Sequence, residues 1–357
     1  MIEIDGSTGE AGGQILRTAC ALSTVTKKPV HVFNIRKSRP RPGLATQHLL
    51  GIQSLTQLCN GRLEGDKLGS QEIWFCPEEI KSKDLHIKID TAGSITLVLQ
   101  TLILPALLAP SPIKIVFNGG ATDTFFSPTM DYFQYVFLKI LGKMGGKVEI
   151  NIIKRGYYPE GGAKAEIKVY PSKLKNLNLL KRDSLKKILA ISGASEFLKS
   201  KKVAERQLQG TREILGKLKL PIEERVEYYQ TQCPGSQICL IAEFSSVAKS
   251  YGGSAVASGE GGENTVIGTD NLGKFGKRAE DVGREAALEL LKEQKSQACL
   301  DKNLADQILP YLALASGKSQ VSVSEITNHC KTNIWVIEKF IEGKFETKDN
   351  LIIWQPF

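Results

Sequence analysis

One order of elements recurs three times along this chain, and that repetition constrains the fold more than any single motif. The first passage opens on a helix-like run from Gly13 to Ser23. A β-rich strand follows at Val30–Ile35, then a helix over Ala45–Leu58 with apolar residues at helical spacing, then a strand at Glu72–Phe75. The second passage runs from a helix at Ile95–Leu108 to a strand at Ile113–Phe117, a helix at Asp131–Met144, and strands at Lys147–Ile153 and Ala165–Tyr170. The third places a helix at Leu304–Ala315, a strand at Gln320–Val323, a helix at Lys331–Ile341, and strands at Lys344–Thr347 and Leu351–Trp354. Units of about 60–80 residues are too small to bury their own sheet well. Three packed together would share one core. A period this long, holding both helices and strands, is not that of a solenoid, and triplication of an α/β unit accounts for it.

The pattern breaks between units two and three. There a strand at Lys187–Ile191, a helix at Lys202–Leu218 and strands at Glu224–Tyr229 and Ile238–Phe244 predict a small inserted α/β domain over 182–275. The repeats then occupy 1–181 and 276–357. A glycine-rich stretch at Gly259–Gly262 predicts a hinge near the far boundary of the insert. With 41% hydrophobic residues, the 357-residue chain can bury a real core. Its most apolar stretch, Ile95–Ala109, is interrupted by Gln100 and Pro105 and is too short to cross a bilayer, so it predicts a buried helix. The first residues lack the basic-then-apolar order of a signal peptide. Seven cysteines without framework spacing point to a reducing compartment, and the chain is expected to be cytoplasmic, with no membrane partner. Cys233 and Cys239 have no histidine or second cysteine pair beside them and read as structural, not as a zinc site.

A net charge of +9 favours anionic partners and directs attention to phosphate sites. Gly268-x4-Gly273-Lys274 nearly matches a P-loop, but Phe275 follows and cannot supply the hydroxyl that holds magnesium. Gly9-Glu10-Ala11-Gly12-Gly13-Gln14 precedes a helix carrying Arg17, so its backbone could approach an anion at the helix N-terminus; a plain glycine turn explains the same residues. Arg36-Lys37-Ser38-Arg39-Pro40-Arg41-Pro42-Gly43 alternates cations with prolines in a loop that cannot be helical, with Gln47 and His48 beginning the next helix. Arginines in a stiff loop suit phosphate recognition, against the plain reading of a solvated basic loop. Arg155-Gly156-Tyr157-Tyr158-Pro159-Glu160-Gly161-Gly162 is explained by a structural hairpin. Of four histidines, His31 and His86 sit in strand-like segments, whereas His329 opens the last helix. The dipole at a helix start disfavours imidazolium and leaves the neutral, nucleophilic form. Asn333, one turn on, could orient the ring or a ligand.

These residues together resemble the RNA 3′-terminal phosphate cyclase family. The resemblance is carried by Asp5-Gly6, Gly9 through Arg17, Arg36 and Arg39, Pro42-Gly43-Leu44, Gln47-His48, Leu97 through Thr101, Arg155-Gly156 with Pro159 and Gly161-Gly162, Leu304 through Gln307, and His329 with Thr332 and Asn333. It spans essentially the whole chain, and the specificity lies in the shared order. The resemblance implies an α/β (α+β) fold of repeated βαβαββ units, like those of enolpyruvyl transferases, with a small inserted α/β domain. It implies a ligase-type, nucleotidyl-transferring enzyme acting on RNA 3′-phosphate ends with ATP as co-substrate and a divalent metal, Mg or Mn. In that reaction a histidine takes AMP from ATP and passes it to the RNA 3′-phosphate. The ribose 2′-hydroxyl then closes a 2′,3′-cyclic phosphate.

Carried over by position, the resemblance makes His329 the nucleophile and Glu10 the metal-binding carboxylate. Gln14, Arg17, Arg36, Arg39 and Gln47 would gather phosphate and RNA. Gln100, Pro128, Tyr132, Asn303, Leu304, Ala305, Asp306 and Gln307 would form the adenylate pocket, with Tyr132 stacking on adenine. Asn303 stands where related enzymes can carry an aromatic that covers the base. Ala163 replaces a third glycine after Pro159, and Arg41 stands where a lysine is possible. Rival readings are a catalytically silent cyclase-like protein of ribosomal RNA processing, which would lack the histidine, an enolpyruvyl transferase, which needs no adenylate pocket, and a generic RNA-binding module.

Overall fold

The computed structural model describes residues 1–245 and 265–357, and the glycine-rich stretch at 259–262 lies outside them. Four four-stranded sheets organise these residues. The first unit comprises β1 (Ile2–Asp5), α1 (Gly13–Thr26), β2 (Val30–Phe33), α2 (Thr46–Cys59), β3 (Arg62–Glu64) and β4 (Ile73–Cys76). Its sheet runs β1-β2-β4-β3, with β1 parallel to β2 and the other two pairs antiparallel.

The second unit repeats this with β5 (Leu85–Ser94), α3 (Ile95–Leu107), β6 (Ile113–Ala121), a three-part helical segment, β7 (Lys147–Lys154) and β8 (Lys164–Tyr170). The order β5-β6-β8-β7 is that of the first sheet, with the same one parallel pair. Its second helix was expected as one run over Asp131–Met144. It is instead α4 (Met130–Tyr132), a π-helical turn at Phe133–Phe137, and α5 (Leu138–Lys143). A π turn widens the helix by one residue.

The third unit begins with the two-residue strand β9 (Asn178–Leu179), which pairs in parallel with β14 (Ser319–Ser322). It resumes after the insert with α8 (Lys302–Leu314), then β14, α9 (Asn328–Phe340), β15 (Gly343–Lys348) and β16 (Leu351–Pro356). The order β9-β14-β16-β15 is again the same. The insert therefore interrupts unit three between its first strand and its first helix. The fold is a mixed α/β assembly of three βαβαββ units.

The inserted unit has its own connectivity. Strands β10 (Leu185–Ser195), β11 (Ile222–Tyr229), β12 (Ser236–Phe244) and β13 (Val266–Leu272) lie in the order β11-β10-β12-β13. Helices α6 (Val203–Leu215) and α7 (Ala279–Lys295) cover it, and Leu208, Leu240, Val282, Ala286 and Leu290 share a second apolar cluster. Helix α7 thus carries this packed unit to Lys295, past the expected boundary at 275. The three repeats share the first, larger cluster, in which the central helices α1 and α3 bury Ile15, Leu16, Val98 and Leu102. Helix α3 is buried along almost its whole length, which accounts for its continuous hydrophobicity. Among the described residues no helix is long and apolar enough to cross a membrane.

Candidate active site

The N-terminal ends of α1, α8 and α9 meet, and this junction brings together residues from opposite ends of the chain. The loop before α1 is pressed between its neighbours. A methyl group at Gly13 would lie 2.0 Å from His48 Nε2, and one at Gly9, with φ +59, would lie 2.2 Å from Thr332 Oγ1. These two glycines therefore make room for the protein's own side chains and fix the loop. His48 is 4% exposed, its Nδ1 accepts from the Ala45 N–H at 3.3 Å, and burial beside Arg17 and Arg36 holds its pKa well below the ordinary value. It is a neutral strut.

His329 is the second residue of α9, after the cap Thr327, whose hydroxyl accepts from the Cys330 N–H. Its Nδ1 contacts Gln14 Oε1, and the Gln14 Nε2 donates to the His329 carbonyl at 2.8 Å. With its amide nitrogen spent on a carbonyl, Gln14 can only accept from Nδ1. Nδ1 therefore carries the proton, and in the neutral ring the lone pair lies on Nε2. Nε2 faces the Glu10 carboxylate at 2.5 Å, and Asp306 Oδ2 lies 3.9 Å from Nδ1. Burial lowers the His329 pKa most, Glu10 opposes this, and Arg17 and Arg39 add to the lowering. Burial pushes the Asp306 carboxyl up to about 7 despite the pull of Arg17. Asn333 does not reach the ring, contrary to the sequence expectation. Its amide accepts from the Thr18 hydroxyl and donates to the Asp306 carbonyl, which ties α9 to α1 and α8.

Beside His329 opens a cavity of about 410 Å³. Gln100, Pro128, Tyr132, Asn303, Asp306 and Gln307, expected at an adenylate pocket, line it together with Arg17, expected at phosphate. Gln100 donates to Gln307, and Gln307 donates to the Asn303 carbonyl, so the amides form a chain along one wall. Three expectations here are corrected. Leu304 and Ala305 are fully buried in the core, so only their backbone can face a ligand. Tyr132 is 1% exposed and its hydroxyl donates to Asp301 at 2.6 Å, which leaves no free ring face for adenine to stack on. Asp301 in turn caps α8 and accepts from the Gly268 N–H, so Tyr132 braces the cavity floor.

The expected phosphate ligands separate into two groups. Arg17 reaches the cavity; burial lowers its pKa to about 10, so it stays cationic at neutral pH, and among the described residues it forms no ion pair. Arg39 lies over the α1 N-terminus, its Nη2 3.2 Å from where a Gly12 methyl would sit. Arg36, by contrast, donates Nη1 to the Gly43 carbonyl at 2.8 Å, which ties the two ends of the basic loop together. Gln47 lies outside the cavity with its Oε1 over Gly93, and Gln14 is committed to His329.

Gly268 lies within strand β13 and only Gly273 and Lys274 fall in the loop before α7, so the segment does not form a glycine loop between strand and helix as a P-loop does. Arg155 is buried between Asp123 (3.0 Å) and Asp131 (2.5 Å) and stacks on Tyr229, where the second unit meets the insert. Ala163 is buried and pairs with Gly119 and Gly120, so its methyl is accommodated.

Sequence reasoning missed Phe125, Phe126, Asp270, Leu272 and Lys302, which also line the cavity. Phe126 is fully exposed at φ 63, and the one available signal was two phenylalanines in a polar loop ending at Pro128. Asp270 accepts from the Thr129 N–H at 2.6 Å, and burial raises its pKa to about 6. Among the described residues no group of three or more His, Cys, Asp or Glu is placed to hold a metal. Glu10 suits an ion that takes most of its oxygens from phosphates, which needs only one or two carboxylates.

A family profile described as RNA 3′-terminal phosphate cyclase matches residues 8–347. The chain is similar to the RNA 3′-terminal phosphate cyclase of Pyrococcus furiosus, 43% identical over 349 residues that cover 98% of this chain and 95% of the relative. The protein of the same name from Archaeoglobus fulgidus is 40% identical over 353 residues, 99% of each chain. Pyrobaculum aerophilum supplies another, 40% identical over 98% of this chain and 95% of its own length.

Proposed function

This chain belongs to the RNA 3′-terminal phosphate cyclase family, and from that premise we propose that it uses ATP to convert an RNA 3′-terminal phosphate into a 2′,3′-cyclic phosphate through an adenylyl-His329 intermediate. The observation that carries the reading is the tautomer imposed on His329. Gln14 holds the proton on Nδ1 and leaves the Nε2 lone pair as the nucleophile. A catalytically silent relative has no use for that arrangement.

In the first step Nε2 attacks the α-phosphorus of ATP. The bond to the bridging oxygen breaks and pyrophosphate leaves. The ring keeps its Nδ1 proton, becomes cationic and is a good leaving group. An oxygen of the RNA 3′-phosphate then attacks the same phosphorus and expels Nε2, which gives an RNA 3′-adenylate. The adjacent 2′-hydroxyl loses its proton and attacks the RNA phosphorus, AMP departs with its phosphate oxygen, and the cyclic ester closes. A phosphate monoester is a poor electrophile until AMP supplies the leaving group.

Arg17, which faces the cavity and forms no ion pair among the described residues, and Arg39, above the α1 N-terminus, are placed to balance charge on the α-phosphate. The Gln100–Gln307–Asn303 chain supplies polar atoms for the nucleoside. Glu10 would hold a divalent cation, Mg or Mn, which supplies charge neutralisation at the phosphates. Nε2 faces the Glu10 carboxylate at 2.5 Å, so a cation held by Glu10 would also draw that carboxylate away from the lone pair. All seven cysteines are free, which supports a reducing, cytoplasmic setting.

The test is incubation with α-labelled ATP and a divalent cation. Label stays on the protein through an acid-labile, alkali-stable bond, and RNA ending in 3′-phosphate, but not in 3′-hydroxyl, then discharges it through a transient RNA-adenylate to free AMP. A His329→Ala variant that labels as well as the parent would refute the nucleophile assignment.

A further inference from the structure

A second cavity, of about 610 Å³, opens between the second repeat and the insert and shares Phe125 and Leu272 with the cavity beside His329. Its second-repeat wall carries Phe125, 40% exposed, and Tyr158, 60% exposed, which meet edge to face at 6.3 Å. Its insert wall carries Phe275, fully exposed in the loop between β13 and α7. Large aromatic surfaces left in water beside one another mark a binding surface. Cations surround them. Lys201 and Lys274 are exposed and form no ion pair among the described residues, and the Arg278 side chain is 67% exposed. One carboxylate lines the cavity, Asp123, and it is spent on Arg155.

Resting on the cyclase reading above, we infer that this groove binds the nucleotides of a single-stranded RNA that precede its terminal phosphate, with bases stacked on Tyr158 and Phe275 and the backbone along Lys201, Lys274 and Arg278. Three features select this occupant. The groove opens into the cavity where the terminal phosphate reacts. Its charge complements phosphodiesters, which an acidic-poor aromatic groove for an apolar peptide does not require. Separated aromatic rings accept splayed bases of a single strand, whereas a duplex keeps its bases stacked inside. Stacking reads no sequence, so the groove selects strandedness and length over base identity.

The experiment compares the parent with Phe275→Ala and Lys274→Glu, neither of which lines the His329 cavity. Binding of a fluorescent oligoribonucleotide of about ten residues, a length within the range of such sites, is followed by anisotropy without ATP. Cyclisation of that oligomer and of a dinucleotide, each with a 3′-phosphate, is measured in parallel with self-adenylylation. The expected result is a roughly tenfold weaker binding and higher KM for the longer RNA in Phe275→Ala, a smaller salt dependence in Lys274→Glu, and unchanged dinucleotide turnover and self-adenylylation. Unchanged binding of the longer RNA in both variants overturns the groove, as does an equal loss for the dinucleotide. Intact binding in a parent that never transfers AMP to RNA ending in 3′-phosphate would overturn the cyclase reading and leave the groove standing.

Discussion

Gln14→Leu separates two roles for one residue. By resemblance Gln14 is a phosphate ligand; in the structure it is 6% exposed, with both ends of its amide spent on His329. Leucine nearly fills the same volume and removes both hydrogen bonds. Each is worth about 1 kcal/mol net, and the one at Nδ1 sets which nitrogen holds the lone pair. Loss of about 1.4 kcal/mol of that preference slows attack on ATP on the order of tenfold. The KM for ATP stays near that of the parent, because Gln14 does not line the cavity of about 410 Å³. Single-turnover self-adenylylation, measured across ATP concentrations, reads both quantities. Gln14→Glu adds a sign test: a carboxylate at Nδ1 stabilises the imidazolium, so the pH–rate profile moves to higher pH. A Gln14→Leu variant with raised KM and the parental rate at saturating ATP would show that Gln14 binds phosphate after all.

Asp306 gives a pH prediction from its position between Arg17 and His329. Its carboxyl titrates at about 7 in the fold against an ordinary 3.8, so it keeps its proton in the native state where the unfolded chain has lost it. That contribution to stability is complete below about pH 4 and is lost as the pH rises through 7. Asp306→Asn should therefore match the parent near pH 4 and exceed it above pH 7 by on the order of 2–4 kcal/mol, read by calorimetry; a constant difference across pH would contradict the shift. Arg155→Met leaves Asp123 and Asp131 buried without their cation and should cost about 3–5 kcal/mol in denaturant unfolding. Adding Asp123→Asn should restore part of it, and no recovery would mean that packing on Tyr229, not charge, is what Arg155 supplies.

The repeat was legible because its helices are long and strongly periodic. Val98, Leu99, Leu102 and Ile103 lie on one buried helix, as their spacing says, and the two strands that close each unit alternate clearly in Lys147–Lys154 and Gly343–Lys348. The leading strands of the first and third units escaped periodicity. Ile2–Asp5 is four residues long, and Asn178–Leu179 is two residues long and stands 140 residues before the strand that completes it. Nothing local marks such a strand, because its partner supplies the order. The end of the insert escaped for a similar reason. Helix α7 has the composition of a surface helix, and its assignment to that sheet comes from packing: Val282, Ala286 and Leu290 join the insert's apolar cluster, and Gly283 and Gly210 let the α7 and α6 backbones approach.

At the site, residue type was legible and role was not. Glu10, Arg17, Gln100, Asp306 and His329 converge as their order implies. Yet Gln14, Arg36 and Tyr132, all polar and all near phosphate-binding motifs, are turned inward to His329, Gly43 and Asp301. A polar side chain beside a site can meet the ligand or position the group that does, and sequence spacing does not distinguish the two. The distinction is made by the partner each side chain finds in the fold, seven residues away for Arg36, 169 for Tyr132 and 315 for Gln14. The Gln14–His329 bond closes a separation of 315 residues and joins the first repeat to the third. The proposed nucleophile thus exists as a defined tautomer only once the repeats have packed, and on that proposal a variant that loosens the α1–α9 junction, such as Thr18→Val at the Asn333 contact, slows self-adenylylation without touching the substrate.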